Sequence, residues 1–139
     1  MYNIPECFYR VSVKGLVYDE TGDTFLLTQE KSGIWELPGG GLEWGATPHE
    51  ELSREIQEEM GLSVRSMAEE PSYFLGGYHL PEWDVWILYI VYAITLEHLN
   101  FTKSDECFDI AFVTPEDALT MNVRPQILEL ANKLITKQS

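Results

Sequence analysis

The glutamates of the segment Thr47–Met60 have a spacing that could bind a metal ion. On a helix with about 3.6 residues per turn, side chains three and four positions apart are neighbours. One narrow face of such a helix would carry Glu51, Glu55, Glu58 and Glu59. Like charges at this spacing repel each other, and Arg54 alone cannot neutralise them all. The pattern predicts either a site for a hard divalent cation, which prefers carboxylate oxygens, or a solvated acidic helix face.

A run of three glycines, Gly39–Gly41, lies shortly before this helix. Glycine has no Cβ, so its backbone can adopt torsions and approach ligands in ways that other residues cannot. The loop can therefore bring backbone groups against the same ligand that the carboxylates would bind through a metal. This neighbourhood favours the metal site over the solvated acidic face.

The stretch from Gly40 to Leu62, GGLEWGATPHEELSREIQEEMGL, resembles the Nudix box. That motif is Gly, five residues, Glu, seven residues, then Arg-Glu-apolar-any-Glu-Glu-any-Gly-apolar. The preceding Trp35–Gly39 is also similar to the lead-in that the family places before its box. The required spacing is met by Gly40, Arg54, Glu55, Ile56, Glu58, Glu59, Gly61 and Leu62. The resemblance implies the Nudix fold, an α/β/α sandwich with a mixed β-sheet.

The resemblance also implies a metal centre and a reaction. The implied ligands of one to three Mg²⁺ or Mn²⁺ ions are the Gly40 carbonyl and the carboxylates of Glu55, Glu58 and Glu59. Such ions offset phosphate charge and lower the pKa of a bound water. That water would attack a phosphoanhydride bond in a nucleoside diphosphate linked to another moiety. The substrate cannot be named, because specificity resides in loops outside the box.

The general base has two candidate locations in this resemblance. Glu55, beside the motif arginine Arg54, is one. The family also places the base on a loop near the last strand, where Asp105, Glu106 and Asp109 lie. We rank Glu106 first among these three, against the alternative that they form only a polar turn before a strand.

One position departs from the motif. Its first glutamate should stand at position 46, where this chain has Ala46. The resemblance implies that this residue supports the loop and the motif arginine and is not a principal metal ligand. Glu50, one turn before Arg54, or Glu43 in the loop could take over the supporting contact.

Capping residues and hydrophobic periodicity indicate the elements that must position these groups. Thr47 followed by Pro48 and Glu50 predicts a helix N-terminus, and Gly61 predicts its C-terminus. Before this helix, two strands joined by a turn at 19–24 are expected to form a hairpin. The predicted strands cover Phe8–Tyr18, Phe25–Gln29, 34–37, Val64–Met67, Tyr73–Leu80, Val85–Leu96 and Phe108–Val113.

Two further helices are predicted near the end of the chain. A short one should begin at Thr114, and an amphipathic one should cover Pro125–Thr136. Its apolar side is expected to carry Ile127, Leu128, Ala131, Leu134 and Ile135. Strands and helices are thus interspersed, which predicts an α/β (α+β) domain with a mixed sheet covered by helices.

Composition limits the partners. With 139 residues and 45% hydrophobic content, we expect one domain over residues 1–139. The net charge of −14 argues against a nucleic-acid polymer as partner, since such binding needs Lys and Arg to neutralise phosphates. No apolar run is long enough for a membrane-spanning helix, and no secretory signal begins the chain. We therefore expect a cytoplasmic protein with free thiols at Cys7 and Cys107. Homodimers are common in the family that the box resembles.

Some aromatic residues are weaker candidates for substrate binding, and two other functions compete with hydrolysis. Tyr78 or one of the tryptophans Trp35, Trp44, Trp83 and Trp86 could contact a nucleotide, although packing is the default for aromatic side chains. A Nudix-fold module that binds a nucleotide with weak or no turnover is the alternative to an active hydrolase, prompted by Ala46. A calcium-stabilised structural domain would need its ligands spread along a loop, not a helix.

Overall fold

The structure, a computed structural model, describes residues 6–138, in which four strands, one helix, four further strands and two helices follow one another. The strands are β1 (Tyr9–Leu16), β2 (Phe25–Gln29), β3 (Trp35–Glu36), β4 (Gly39–Gly41), β5 (Val64–Met67), β6 (Tyr73–Leu80), β7 (Val85–Leu96) and β8 (Asp109–Val113). The helices are α1 (Pro48–Met60), α2 (Pro115–Ala118) and α3 (Pro125–Gln138). These positions agree closely with the elements predicted from the sequence.

The long strand β7 organises a five-stranded mixed sheet. It pairs in parallel with β1 on one side and antiparallel with β6 and β5 on the other. Strand β4 continues the sheet beyond β1, while β3, β2 and β8 form a second, three-stranded sheet. Alternate residues of β7 point to opposite faces, and both faces contribute to hydrophobic clusters.

Helices cover both faces of this framework. One hydrophobic cluster joins α1 to β1, β2 and β7, and the other joins α2 and α3 to β2, β6 and β7. The arrangement is the predicted α/β/α sandwich with a mixed sheet. No helix within residues 6–138 is long and apolar enough to cross a membrane. Cys7 is exposed, Cys107 is buried, and both are free thiols as expected.

Helix α1 begins and ends as its capping residues predicted. The Thr47 side chain accepts a hydrogen bond of 3.3 Å from the backbone N–H of Glu50. Gly61 ends the helix in the left-handed conformation, with a φ of 67°. Leu52, Ile56 and other apolar side chains of one helix face are fully buried, which fixes the rotation of α1 and hence the direction of its glutamates.

The prediction that the first two long strands pair as a hairpin is wrong beyond the turn that joins them. A bridge between Tyr18 and Phe25 and a turn around Asp19 close its tip as expected. Beyond the tip the strands separate, because β1 pairs with β7 over eight residues while β2 pairs with β3 and β8 in the other sheet. Strands that are buried on both faces take partners by tertiary packing, which local turn signals do not determine.

The buried side of α3 also differs in part from its prediction. Ile127, Ala131 and Leu134 are buried as expected, but Leu128 is exposed and Leu130 is buried in its place. The apolar face is therefore rotated slightly from the one that the sequence indicated, since α3 packs against α2 as well as against the sheet.

Gly39 lets β4 lie directly against β1, and its replacement should destabilise the fold. Its φ is 136°, and a Cβ there would lie 2.1 Å from the Val13 carbonyl oxygen. We expect Gly39→Ala to lower the free energy of unfolding by at least about 2 kcal/mol. Gly22→Ala is the matched control, because Gly22 has a φ of 77° with no atom near the added Cβ. Urea unfolding of both variants measures the difference, and equal losses would contradict the steric argument.

Candidate active site

Helix α1 places its glutamates along the border between core and solvent. Glu51 is almost fully buried, with 3% of its surface exposed. Glu55 and Glu59 are half-buried, and Glu58, on the outer side, has 57% of its side chain exposed. The acidic stripe thus follows the edge of the buried face, as the helical spacing predicted.

Three carboxylates meet at the inner part of this stripe. One oxygen each from Glu55, Glu59 and Glu106 lies within 4.8 Å of the others. Glu106 is on the loop between β7 and β8, far from α1 in sequence. The structure therefore brings the first-ranked loop candidate to two of the predicted metal ligands.

Ser104 holds the loop of Glu106 against α1. Its hydroxyl donates to the Glu59 carbonyl oxygen at 2.7 Å and accepts from the backbone N–H of Glu106 at 3.3 Å. The N–H of Thr102 also donates to the Met60 carbonyl oxygen at 2.8 Å, using a free carbonyl at the end of the helix. These contacts fix Glu106 beside Glu59, although Ser104 carries no signal in the sequence that marks it for this role.

Gly40 lies directly on the carboxylate of Glu55. A Cβ at Gly40 would be 2.6 Å from Glu55 Cδ and 2.7 Å from its Oε2 atom, so a larger residue would displace the carboxylate. The predicted closeness of the glycine run and the glutamate helix is therefore present. The structure places Gly40 beside Glu55 as the motif requires.

Arg54 contacts three carboxylates. Its Nη1 atom donates to Glu58 Oε2 at 2.8 Å, and its Nη2 atom donates to Glu55 Oε1 at 2.9 Å. Nη2 also contacts the carboxylate of Glu51. Among the described residues, Glu58 therefore lies with Arg54 and outside the group formed by Glu55, Glu59 and Glu106.

The supporting contact that was sought for Ala46 comes from a different residue. Glu43 forms an ion pair with Arg10 at 3.2 Å, and neither Glu43 nor Glu50 forms an ion pair with Arg54 in the described part of the chain. Neither of the two residues that could have taken over the contact therefore holds Arg54. Glu51, three residues before Arg54 on the same helix, makes the contact instead. The helical spacing allows either Glu50 or Glu51 to reach Arg54, and only the burial of Glu51 decides which of them does.

Burial makes the Glu59 carboxyl group an unusually weak acid. The pKa of Glu59 is raised from its ordinary 4.5 to about 8, chiefly by burial. The charge of Lys14 opposes this rise, and the carboxylates of Glu55 and Glu106 add to it. A half-buried carboxylate that is surrounded by other carboxylates retains its proton because the charged form is poorly solvated. A bound cation would reverse this effect.

The three carboxylates open into a cleft of about 550 Å³. Positive charge enters this cleft from Lys14, Lys31 and Arg124, and Trp83 stands at its rim with 74% of its surface exposed. Asp105 also lines the cleft, whereas Asp109 does not belong to its lining. The cleft thus combines an acidic end with side chains that can bind phosphate and an aromatic ring.

Lys14 and Arg124 were not identified from the sequence. Lys14 is buried, with its Nζ atom 3.4 Å from the Leu37 carbonyl oxygen and 5.0 Å from the centre of the Tyr89 ring. A lone lysine within an apolar strand was the available signal. Arg124 pairs with Glu30 at 3.0 Å across the cleft, a contact between residues 94 positions apart. No local pattern could have indicated that pair.

Tyr78 and His49 lie outside the cleft. The hydroxyl of Tyr78 donates to Glu129 on α3 at 2.9 Å, in a separate depression beside that helix. His49 contacts the Ala68 carbonyl oxygen at 3.0 Å and packs its ring on Tyr92, so it joins α1 to the chain after β5. Of these aromatic candidates, Trp83 is the one that lines the cleft.

The residues present fit a hard divalent cation. The three grouped oxygens are all carboxylate, which is the donor that Mg²⁺ and Mn²⁺ prefer, and the cleft leaves room for further oxygen ligands. Gly40 leaves space beside Glu55 that any side chain would fill. The donor set and the surrounding space suit such a cation, although Glu106 joins Glu55 and Glu59 where the sequence predicted Glu58.

The raised pKa of Glu59 predicts a pH-dependent stability in metal-free protein. In the unfolded chain this carboxyl loses its proton near pH 4.5, whereas in the folded chain it does so near pH 8. Between these values the folded state binds more protons, so the free energy of unfolding falls as the pH rises. We expect Glu59→Gln to remove this fall and to be more stable than wild type at pH 9, but not at pH 4.

Urea unfolding in EDTA across this pH range measures the difference between the two proteins. Glu58→Gln is the control, because it removes the same charge from the exposed side of the helix and should keep the wild-type slope. A parallel pH profile for Glu59→Gln and wild type would contradict the assignment.

Comparison with known proteins identifies the family. The family model described as NUDIX domain matches residues 8–134. The nucleoside triphosphatase NudI of Enterobacter sp. (strain 638) is 31% identical over 66% of this chain and 69% of that protein. The 8-oxo-dGTP diphosphatase of Proteus vulgaris is 41% identical over 36% of this chain, which spans about half (48%) of that protein.

Solved structures agree on the fold. The MutT protein from Methanosarcina mazei Go1 superposes with a TM-score of 0.80 at 22% identity, covering 96% of this chain and 98% of that chain. The family match extends over nearly all of the described residues, including both sheets and all three helices. The protein therefore belongs to the Nudix family of hydrolases, which act on phosphoanhydride bonds.

Proposed function

We propose that this protein is a metal-dependent nucleotide pyrophosphohydrolase that cleaves a phosphoanhydride bond in a nucleoside diphosphate linked to another group. One observation carries the proposal: the carboxylates of Glu55, Glu59 and Glu106 lie within 4.8 Å of one another at the end of a cleft. Metal-assisted phosphoryl transfer needs clustered oxygen ligands beside a space for the phosphate chain.

We assign the ligands as follows. Glu55, Glu59 and Glu106 are the principal carboxylates for Mg²⁺, with Mn²⁺ as a substitute. The Gly40 carbonyl and the Glu58 carboxylate are further ligands, as the motif implies, although Glu58 also accepts a hydrogen bond from Arg54. When bound, the cation offsets phosphate charge and lowers the pKa of a water molecule.

Side chains of the protein then accept the proton, orient the carboxylate and bind the phosphate chain. A carboxylate at the cleft, Glu106 or Glu55, accepts the proton of the attacking water. The water oxygen bonds to phosphorus, the bridging P–O bond breaks, and its electron pair leaves with the departing phosphate group. Arg54 holds the Glu55 carboxylate in place through its 2.9 Å hydrogen bond. Lys14 and Lys31 supply positive charge along the cleft for the phosphate chain.

The nucleotide part of the substrate is supported by the relatives and by the cleft. The two curated relatives are named for nucleoside triphosphate and 8-oxo-dGTP substrates. In this chain Trp83 stands beside Arg124 at the rim, where its exposed ring can stack on a base. A small nucleotide is therefore the substrate class to test first.

The activity is tested by measuring phosphate or pyrophosphate release from a panel of nucleoside triphosphates, dinucleoside polyphosphates and nucleotide sugars with Mg²⁺. We expect turnover of at least one class, and a decrease in kcat of about 100-fold or more in Glu55→Gln, which removes a ligand and a candidate base. Glu69→Gln is the control, because it removes the same charge from an exposed position between β5 and β6. No turnover of any substrate class would favour the alternative, a nucleotide-binding module.

Metal binding is tested separately from turnover. Millimolar Mg²⁺ or Mn²⁺ should raise the melting temperature of the wild type, since a ligand that binds only the folded state stabilises it. Glu55→Gln and Glu106→Gln should lose most of this rise, and Glu58→Gln should lose less. An equal rise in all four proteins would mean general screening of the net charge of −14 and would contradict the assigned ligands.

A further inference from the structure

Glu51 is a buried carboxylate whose position the Nudix box does not specify. It lies on α1, four residues before Glu55, with 3% of its surface exposed. A buried carboxylate is costly unless it is paired with an opposite charge. The Oε1 atom of Glu51 is buried and accepts no hydrogen bond of good geometry within residues 6–138, but it contacts the Arg54 guanidinium.

The guanidinium of Arg54 connects this buried group to the candidate metal ligands. Its Nη2 atom lies between the carboxylates of Glu51 and Glu55. Arg54 itself is 44% exposed, and its remaining partner, Glu58, is more exposed still. Exposed ion pairs fix a side chain only weakly, because solvent screens them and both chains keep their rotamer freedom. The buried partner is therefore the one that can determine where Arg54 stands.

The two oxygens of Glu55 face different neighbours. Oε1 accepts the hydrogen bond of Arg54, and Oε2 lies on the side of Gly40. Arg54 thus fixes the rotation of the Glu55 carboxylate, which decides which oxygen it offers towards Glu59 and Glu106. A guanidinium suits this task, because its planar set of donors can contact several carboxylates at once.

We propose that Glu51 is a positioning residue of the candidate active site, which anchors Arg54 and through it orients the carboxylate of Glu55. The inference rests on the proposed function, because it concerns the same metal centre. It adds a residue outside the motif and gives it a role that is distinct from metal ligation. Glu51 acts through Arg54 and does not touch the metal or the substrate.

The test uses Glu51→Gln in the full chain, with Glu50→Gln as the matched control. Both changes remove one negative charge from the same helical turn, but Glu50 is exposed and forms no ion pair within the described residues. Calorimetric titration with Mn²⁺ measures affinity without substrate. We expect Glu51→Gln to weaken Mn²⁺ binding at least tenfold and to raise the Mn²⁺ concentration for half-maximal activity similarly. Glu50→Gln should stay within about twofold of wild type in both.

A double-mutant cycle shows whether Glu51 acts through Arg54. In an Arg54→Gln background, Glu51→Gln should change the Mn²⁺ affinity by less than twofold, since the connection is already lost. A further tenfold loss in that background would overturn the inference, because Glu51 would then act independently of Arg54. Equal effects of Glu51→Gln and Glu50→Gln would overturn it as well.

Arg54→Lys keeps the test decisive if Glu51→Gln fails to fold. Lysine keeps the positive charge but cannot contact Glu51, Glu55 and Glu58 together, so Mn²⁺ affinity should fall at least tenfold. Wild-type affinity in Arg54→Lys would overturn the inference. Failure of the proposed function looks different: wild type itself would neither bind Mn²⁺ nor turn over any nucleotide, and the inference would fall with it.

Discussion

The crowding of negative charge on one face of α1 is the constraint on which the rest of the structure depends. Glu51, Glu55 and Glu58 share a single guanidinium, and Glu59 sits beside a further carboxylate from a distant loop. Such an arrangement raises the free energy of the folded protein, because like charges repel and burial weakens their solvation. A bound divalent cation would offset both effects.

The surrounding fold holds this unfavourable group together. The apolar side of α1 is fully buried, so the helix cannot rotate its carboxylates into solvent. Gly39 and Gly40 bring the preceding loop against β1 and Glu55, where no larger residue fits. On the opposite side, Ser104 bonds the loop of Glu106 to the end of α1. Strand pairing, helix packing and one hydroxyl thus together hold the carboxylates of Glu55, Glu59 and Glu106 close to one another.

The cleft beside the carboxylates has a different electrostatic character. Tyr89 donates to the buried carboxylate of Glu36, and Lys14 lies over the Tyr89 ring. Burial, together with the charge of Glu36, raises the pKa of the Tyr89 hydroxyl, which keeps it a hydrogen-bond donor. Arg124 extends the polar wall by pairing with Glu30 and Glu82. A protein with a large negative net charge thereby presents fixed cationic side chains where an anionic substrate would enter.

The sequence by itself determined the helix of the motif, its two ends and its buried face, because capping and 3.6-residue periodicity are local properties. The resemblance to the family came from the spacing of the specified residues in the box. The sequence also indicated seven of the eight strands in the described residues, whereas β4, at the glycine run, was expected to be a loop. It ranked Glu106 first among the loop carboxylates. Only the tertiary structure decided that β1 and β2 enter different sheets, that Arg54 pairs with Glu51 and not with Glu50 or Glu43, and that Lys14 and Arg124 line the cleft. Those outcomes depend on burial and on contacts between residues far apart in the chain, which no local spacing encodes.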